Sequence, residues 1–128
     1  MNPIMTSALM EQAVILIVWG IMAHFVADWL LQNDWMVLNK ANLRHPAGWV
    51  HAAIHTVCAL LVFTWPAALF IGLTHVYIDT RIPLRWWMAR IKQVDKGPHV
   101  IHVELWLDQV FHILVLAIVS VVVVSLSQ

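Results

Sequence analysis

Eight residues stand out in a chain that is otherwise 62% hydrophobic and only 11% charged: His24 and Asp28, His51 and His55, His75 and Asp79, Asp108 and His112. The members of each pair are four positions apart. In a helix that spacing puts both side chains on one face, a turn apart. Histidine and aspartate at this spacing suit two kinds of chemistry. They can neutralise each other as hydrogen-bonded pairs, or they can offer neutral imidazole nitrogens and carboxylate oxygens to a metal ion. N and O donors without thiolate suit Zn²⁺ first, with Mn²⁺ or Fe²⁺ as alternatives. The set is large enough for roughly two ions, with any remaining members orienting the ligating histidines. The one cysteine, Cys58, excludes an internal disulfide and reads as a small packing residue.

The elements that must position these pairs are membrane helices. So apolar a composition does not supply the polar surface of a soluble domain. The expected fold is an all-α integral membrane protein: a four-helix transmembrane bundle forming a single domain over residues 1–128. The spans are expected at about 10–37, 46–64, 66–81 and 100–126. The opening MNPIMTSALMEQ has no basic n-region, so the first apolar segment reads as a retained span and not as a signal peptide. Pro66 suits a first helical turn, and Pro83 ends the third helix before it. In lipid the β-branched runs around Val119–Val124 suit helix, because backbone groups must be satisfied within the segment. The second and third helices are short for a span of about 20 residues and read as a tight hairpin. Between the third and fourth, RIPLRWWMARIKQ interleaves basic and apolar residues. This predicts a short amphipathic helix at the interface, over about 82–94.

Charge placement gives an orientation. Every lysine and arginine lies in two loops, Lys40 and Arg44 in the first and Arg81, Arg85, Arg90, Lys92 and Lys96 in the third. The positive-inside rule makes both loops cytoplasmic and both termini external, in a bacterial inner membrane. Helices one and three then run inward and two and four outward, which brings all four pairs to a similar depth toward the cytoplasmic face. An aspartate at a helix centre costs roughly 2.5–3.5 kcal/mol on insertion scales. One such pair is ordinarily an interhelical hydrogen bond; four at one level point to a site. His45, His99 and His102 fall in or near loops and read as solvated. Trp29, Trp35, Trp49 and Trp106 read as an interfacial belt.

The stretch HFVADWLLQNDWMVLNK, with WVHAAIH and THVYIDT downstream, resembles a family of small, uncharacterised membrane proteins of bacteria and their phages. That family is marked by a His-x-x-x-Asp-x-x-x-Gln segment, a downstream lysine and later His/Asp helices. The resemblance maps onto His24, Asp28, Gln32, Lys40, His51, His55, His75, Asp79, Asp108 and His112. More loosely, the pattern is similar to predicted membrane-bound metal-dependent hydrolases of bacterial inner membranes. The similarity implies a metal enzyme without naming its substrate.

Together these readings lead to the expectation of a membrane-embedded, metal-dependent hydrolase, dinuclear, with Zn²⁺ first among its candidate ions. Asp28, Asp79 or Glu104 would act as general base. Gln32, Lys40, Arg44, Arg81 and Arg85 would meet a phosphoester: a phospholipid headgroup, a lipid-linked phosphate or a nucleotide. The expected partners are the bilayer and this phosphorylated substrate, with a homo-oligomer left open and no nucleic-acid polymer. A metal or proton transporter, a membrane di-iron redox enzyme and a non-enzymatic phage membrane protein are the alternatives. Transport needs polar groups across the membrane, and Leu114–Val124 carries a lone Ser120.

Overall fold

The structure is a computed structural model that describes residues 3–94 and 96–127. Among these residues the chain is all-helical, with no strand. Helix α1 covers Pro3–Phe25 and passes directly into a π-helical segment, Val26–Leu31. A short helix α2 follows over Asp34–Asn39. Helices α3 (Pro46–Leu60) and α4 (Trp65–Asp79) form an antiparallel hairpin, α5 (Ile82–Trp87) runs into a second π-helical turn at Met88–Lys92, and α6 spans Val100–Leu126. Two stretches, Thr6–Leu31 and Val100–Leu126, are long and apolar enough to cross a membrane. At about 1.5 Å per residue, the 15-residue helices α3 and α4 reach only about 22 Å.

Local signals account for the boundaries. Pro46 opens α3 behind an N-cap at His45, whose Nδ1 accepts from the Ala47 N–H at 3.2 Å. His45 is therefore a capping residue and not the solvated loop histidine its position suggests. Pro66 sits in the first turn of α4 after Thr64. The expected continuous first helix to residue 37 is divided: Gln32 is extended and Asn33 caps α2, its side chain accepting from the Met36 N–H at 3.1 Å. Asn33 followed by Asp34 is an N-terminus signal that the apolar run around it masks. Arg81 starts α5 in the left-handed region, at φ 63°. This turns the chain away from α4.

The core joins the α3–α4 hairpin to α6 through Ala59, Phe63, Ala68, Ile71, Leu116 and Val119, with Leu16 of α1 packed on its edge. Around it, Trp19, Leu30, Leu61, Phe70, Ile118 and Val121 face outward, so the exterior of the bundle is apolar. Small residues set how closely the helices approach. A Cβ on Gly72 would collide with Thr56 across the hairpin. One on Gly48 would stand 2.7 Å from the Lys40 carbonyl oxygen, a backbone atom that cannot rotate aside. Gly48→Ala is therefore expected to lower the thermal midpoint in detergent by an amount equivalent to about 1–3 kcal/mol. A midpoint equal to wild type would show that α2 is not held against α3.

Candidate metal centre

The pairs of α3 and α4 face one another because these two helices turn small residues toward their neighbours. In α3 the buried face reads Ala47, Gly48, His51, Ala52, His55, Cys58, Ala59; in α4 it includes Ala68, Ile71, Gly72, His75, Val76 and Asp79. With little side-chain bulk between them the backbones close up, and the long histidine side chains meet in the middle. The π-helical turn widens the first helix at the place where Asp28 enters. Such turns recur at functional sites.

His51, His55, His75, Asp79 and His112 are all at most 4% exposed, and Asp28 and His24 are also buried. Asp28 Oδ1 lies 3.0 Å from His55 Nε2 and 3.2 Å from His51 Nε2. His51 Nε2 is 3.1 Å from His75 Nε2, which in turn is 3.2 Å from Asp79 Oδ2. The His55 and His75 rings stack with centroids 3.5 Å apart. Two sets of donor atoms converge within 4.8 Å: Asp28, His51, His55 and His75, and then His75, Asp79 and His112.

The donor chemistry fits a divalent cation. His51 Nε2 carries either one proton or one lone pair, yet it faces Asp28 Oδ1, His75 Nε2 and, at 3.5 Å, Asp79 Oδ2. A single proton or lone pair on His51 Nε2 pairs fully with only one of these neighbours, whereas one cation can take a lone pair from several of these atoms at once. Donors about 2.1 Å from a tetrahedral ion stand roughly 3.4 Å from each other, close to the separations found. His112 is oriented for the role. Its Nδ1–H donates to the Asp108 carbonyl at 2.8 Å, leaving Nε2 with the lone pair, and Nε2 is buried with no hydrogen-bond partner. His75 belongs to both sets, and a ring nitrogen offers its lone pair to one ion at a time.

The other candidate residues are distributed unevenly. His24 and Asp108 stand beside the two sets and not within them. His24 Nε2 is 3.3 Å from Asp28 Oδ2, and Asp108 is only half-buried. Lys40 is not at the rim; its Nζ reaches inward to 3.1 Å from Asp79 Oδ1 and 3.4 Å from His51 Nε2. Glu104 is taken up by Arg81 and Arg85, at 3.3 and 3.1 Å, and ties α6 to the start of α5. Gln32 donates to the Asp28 carbonyl, and Arg44 is exposed on the loop before α3. Sequence reasoning missed Gln109. Its amide donates to Asp28 Oδ2 at 3.3 Å and Asp108 Oδ2 at 3.2 Å, and its Oε1 lies 3.3 Å from His24 Nε2. The available signal was a glutamine in an apolar helix three positions before His112, on the same face.

A comparison of the sequence with protein-family models matches residues 15–128 to the family described as Protein of unknown function (DUF3307). The chain belongs to the DUF3307 family. No curated protein and no solved structure matches it. In this DUF3307 chain two cavities adjoin the His/Asp cluster. One of about 400 Å³ is lined by Asp28 together with Lys40, Arg81, Asp108 and Gln109. The other, where His24, His55, His75 and His112 meet Gly20, Ile71 and Leu116, is about 10 Å³, room for roughly one water.

Proposed function

We propose that this chain is a four-span membrane protein whose buried His/Asp cluster holds a divalent cation and hydrolyses phosphoesters. The basic loops lie on the cytoplasmic face of a bacterial inner membrane, and the hairpin α3–α4 supplies the two short spans. The observation that carries the reading is the convergence of Asp28, His51, His55, His75, Asp79 and His112 into two sets of donor atoms, with Asp28 also lining a cavity that it shares with Lys40 and Arg81. The small size of the second cavity, about 10 Å³, favours a one-sided reaction site over a transport path. Zn²⁺ is the first candidate ion. When bound, the ion supplies a Lewis acid and lowers the pKa of water.

The residues supply the rest. Asp28, His51, His55 and His75 form the primary ligand set. Lys40 gives Asp79 a fixed positive neighbour in place of a second ion. Asp108 suits the role of general base better than Glu104 does, because its carboxylate lines the cavity and spends one oxygen on Gln109, while arginines hold Glu104. In the reaction a water oxygen bonds to phosphorus as Asp108 takes its proton. The ester P–O bond breaks, and the leaving alkoxide receives that proton from Asp108. Lys40 and Arg81 face the phosphate oxygens.

Two measurements test this. Purified protein should release phosphate from p-nitrophenyl phosphate or a phospholipid, lose that activity on chelation and regain it with Zn²⁺ or Mn²⁺; no metal-dependent turnover on any phosphoester would overturn the reading. Asp108→Asn should lower kcat about 10²–10⁴-fold with metal content unchanged. Loss of the metal instead would make Asp108 a ligand and remove it as the base.

A further inference from the structure

The cavity that leads to the cluster has two chemically distinct walls. Its floor holds Asp28, Lys40, Arg81, Asp108 and Gln109; its outer wall is Trp29, Val37, Ile101 and Leu105. Those four apolar side chains are substantially exposed, Trp29 at 66%, Val37 at 47%, Ile101 at 67% and Leu105 at 49%. With Gln32 and His102 as polar neighbours, they join the cavity to the apolar exterior of the bundle. The opening arises where the first helix becomes π-helical. Helix α1 packs along α6, whereas the π-helical segment leans on α3, leaving Asp28 and Trp29 on the near side of a gap to Ile101 and Leu105. A nucleotide could stack its base on Trp29, but it would leave the aliphatic side chains Val37, Ile101 and Leu105 uncovered.

Charge gives the complement. Around the floor stand four carboxylates, Asp28, Asp79, Asp108 and Glu104, and three cations, Lys40, Arg81 and Arg85. A divalent ion held by the cluster would add two positive charges close to Lys40 and Arg81 and so strengthen the floor as an anion site.

Resting on the hydrolase reading above, we propose that the substrate is an amphiphilic phosphate, a long-chain phosphoester that enters sideways from the membrane between the π-helical segment and α6. Its phosphate lies over Lys40 and Arg81, and the first part of its chain lies along Val37, Ile101 and Leu105. The volume, about 400 Å³, is within the ~300–1,000 Å³ range of small-molecule sites. It takes a headgroup and the start of a chain, with the remainder in lipid. Binding is ordered, metal before phosphate.

The test is photolabelling of the full chain in phosphatidylcholine nanodiscs, loaded with Zn²⁺, by dodecyl phosphate carrying a diazirine near the headgroup. Adducts are expected on Val37, Ile101 or Leu105. They should fall at least five-fold on chelation, in Leu105→Trp, and on competition by unlabelled dodecyl phosphate. Dodecanol, inorganic phosphate and AMP at the same concentration should compete poorly. Ile101→Trp repeats the wall test should Leu105→Trp fail to fold, and Val122→Trp, in the distant groove between α4 and α6, should label as wild type does. Labelling spread over the lipid-facing surface, or competition by inorganic phosphate or AMP equal to that of dodecyl phosphate, would overturn the proposal. Labelling as expected with no hydrolysis of any phosphoester would keep the binding site and sink the hydrolase. Hydrolysis of p-nitrophenyl phosphate without this labelling would do the reverse.

Discussion

Lys40→Met is expected to make the stability of the protein depend on added divalent metal. Asp79 is 2% exposed, and the Lys40 ammonium is the cation nearest to it, at 3.1 Å. Methionine keeps most of the stem's packing and removes the charge. Breaking a buried pair by deleting one partner costs about 3–5 kcal/mol, because the other charge stays buried and uncompensated. In detergent with chelator, the variant should melt far below wild type. With Zn²⁺ the loss should shrink, since an ion held by Asp28, His51, His55 and His75 would bring positive charge next to Asp79, whose Oδ2 is 3.2 Å from His75 Nε2 and 3.5 Å from His51 Nε2. Thermal melts of both proteins, with chelator and with Zn²⁺, measure this. A deficit of the same size under both conditions would show that Lys40 is only a structural partner and that no ion replaces it.

Asp28→Asn should have the larger effect on function. Asp28 is the carboxylate that the other helices meet: His55, His51, His24 and Gln109 all lie within 3.3 Å of its oxygens. Asparagine keeps the shape and can still hydrogen-bond to the imidazoles, so the helices should stay together and the circular dichroism should be unchanged. What disappears is the negative charge that makes the cluster attractive to a cation. Metal affinity should fall by more than the 10–100-fold typical of losing a supporting partner, and hydrolysis should fall to background. Metal and activity retained in the Asp28→Asn variant would remove Asp28 from the ligand set.

Much of the site was legible because one physical rule carries it. Four positions are one helical turn, so His51/His55 and His75/Asp79 had to share faces, and ionisable residues in apolar helices must meet one another and avoid lipid. What was not legible depends on how the chain departs from regular helix. The apolar residues around Gln32 and Asn33 hide a cap, so the sequence pattern alone carries the first helix on to residue 37. That break folds α2 back against Gly48 and delivers Lys40 inward, where charge counting had put it at a basic rim. Glu104 shows the converse. Helical period alone aligned it with Asp108, but Arg81 and Arg85, brought near by a left-handed turn, satisfy it. Gln109 carries no charge, so nothing in its residue type marks a side chain that touches Asp28 and its neighbours His24 and Asp108.

The central claim is that the buried His/Asp cluster is a metal centre, and elemental analysis of the protein purified without chelator tests it most directly. Wild type should carry about one equivalent of a divalent transition metal per chain, zinc foremost, His55→Ala should carry almost none, and Val122→Trp, altered in the distant groove between α4 and α6, should keep what wild type binds. Metal-free wild type whose melting is indifferent to both chelator and added Zn²⁺ would contradict the account and leave the four pairs as a network of hydrogen bonds that holds the helices together.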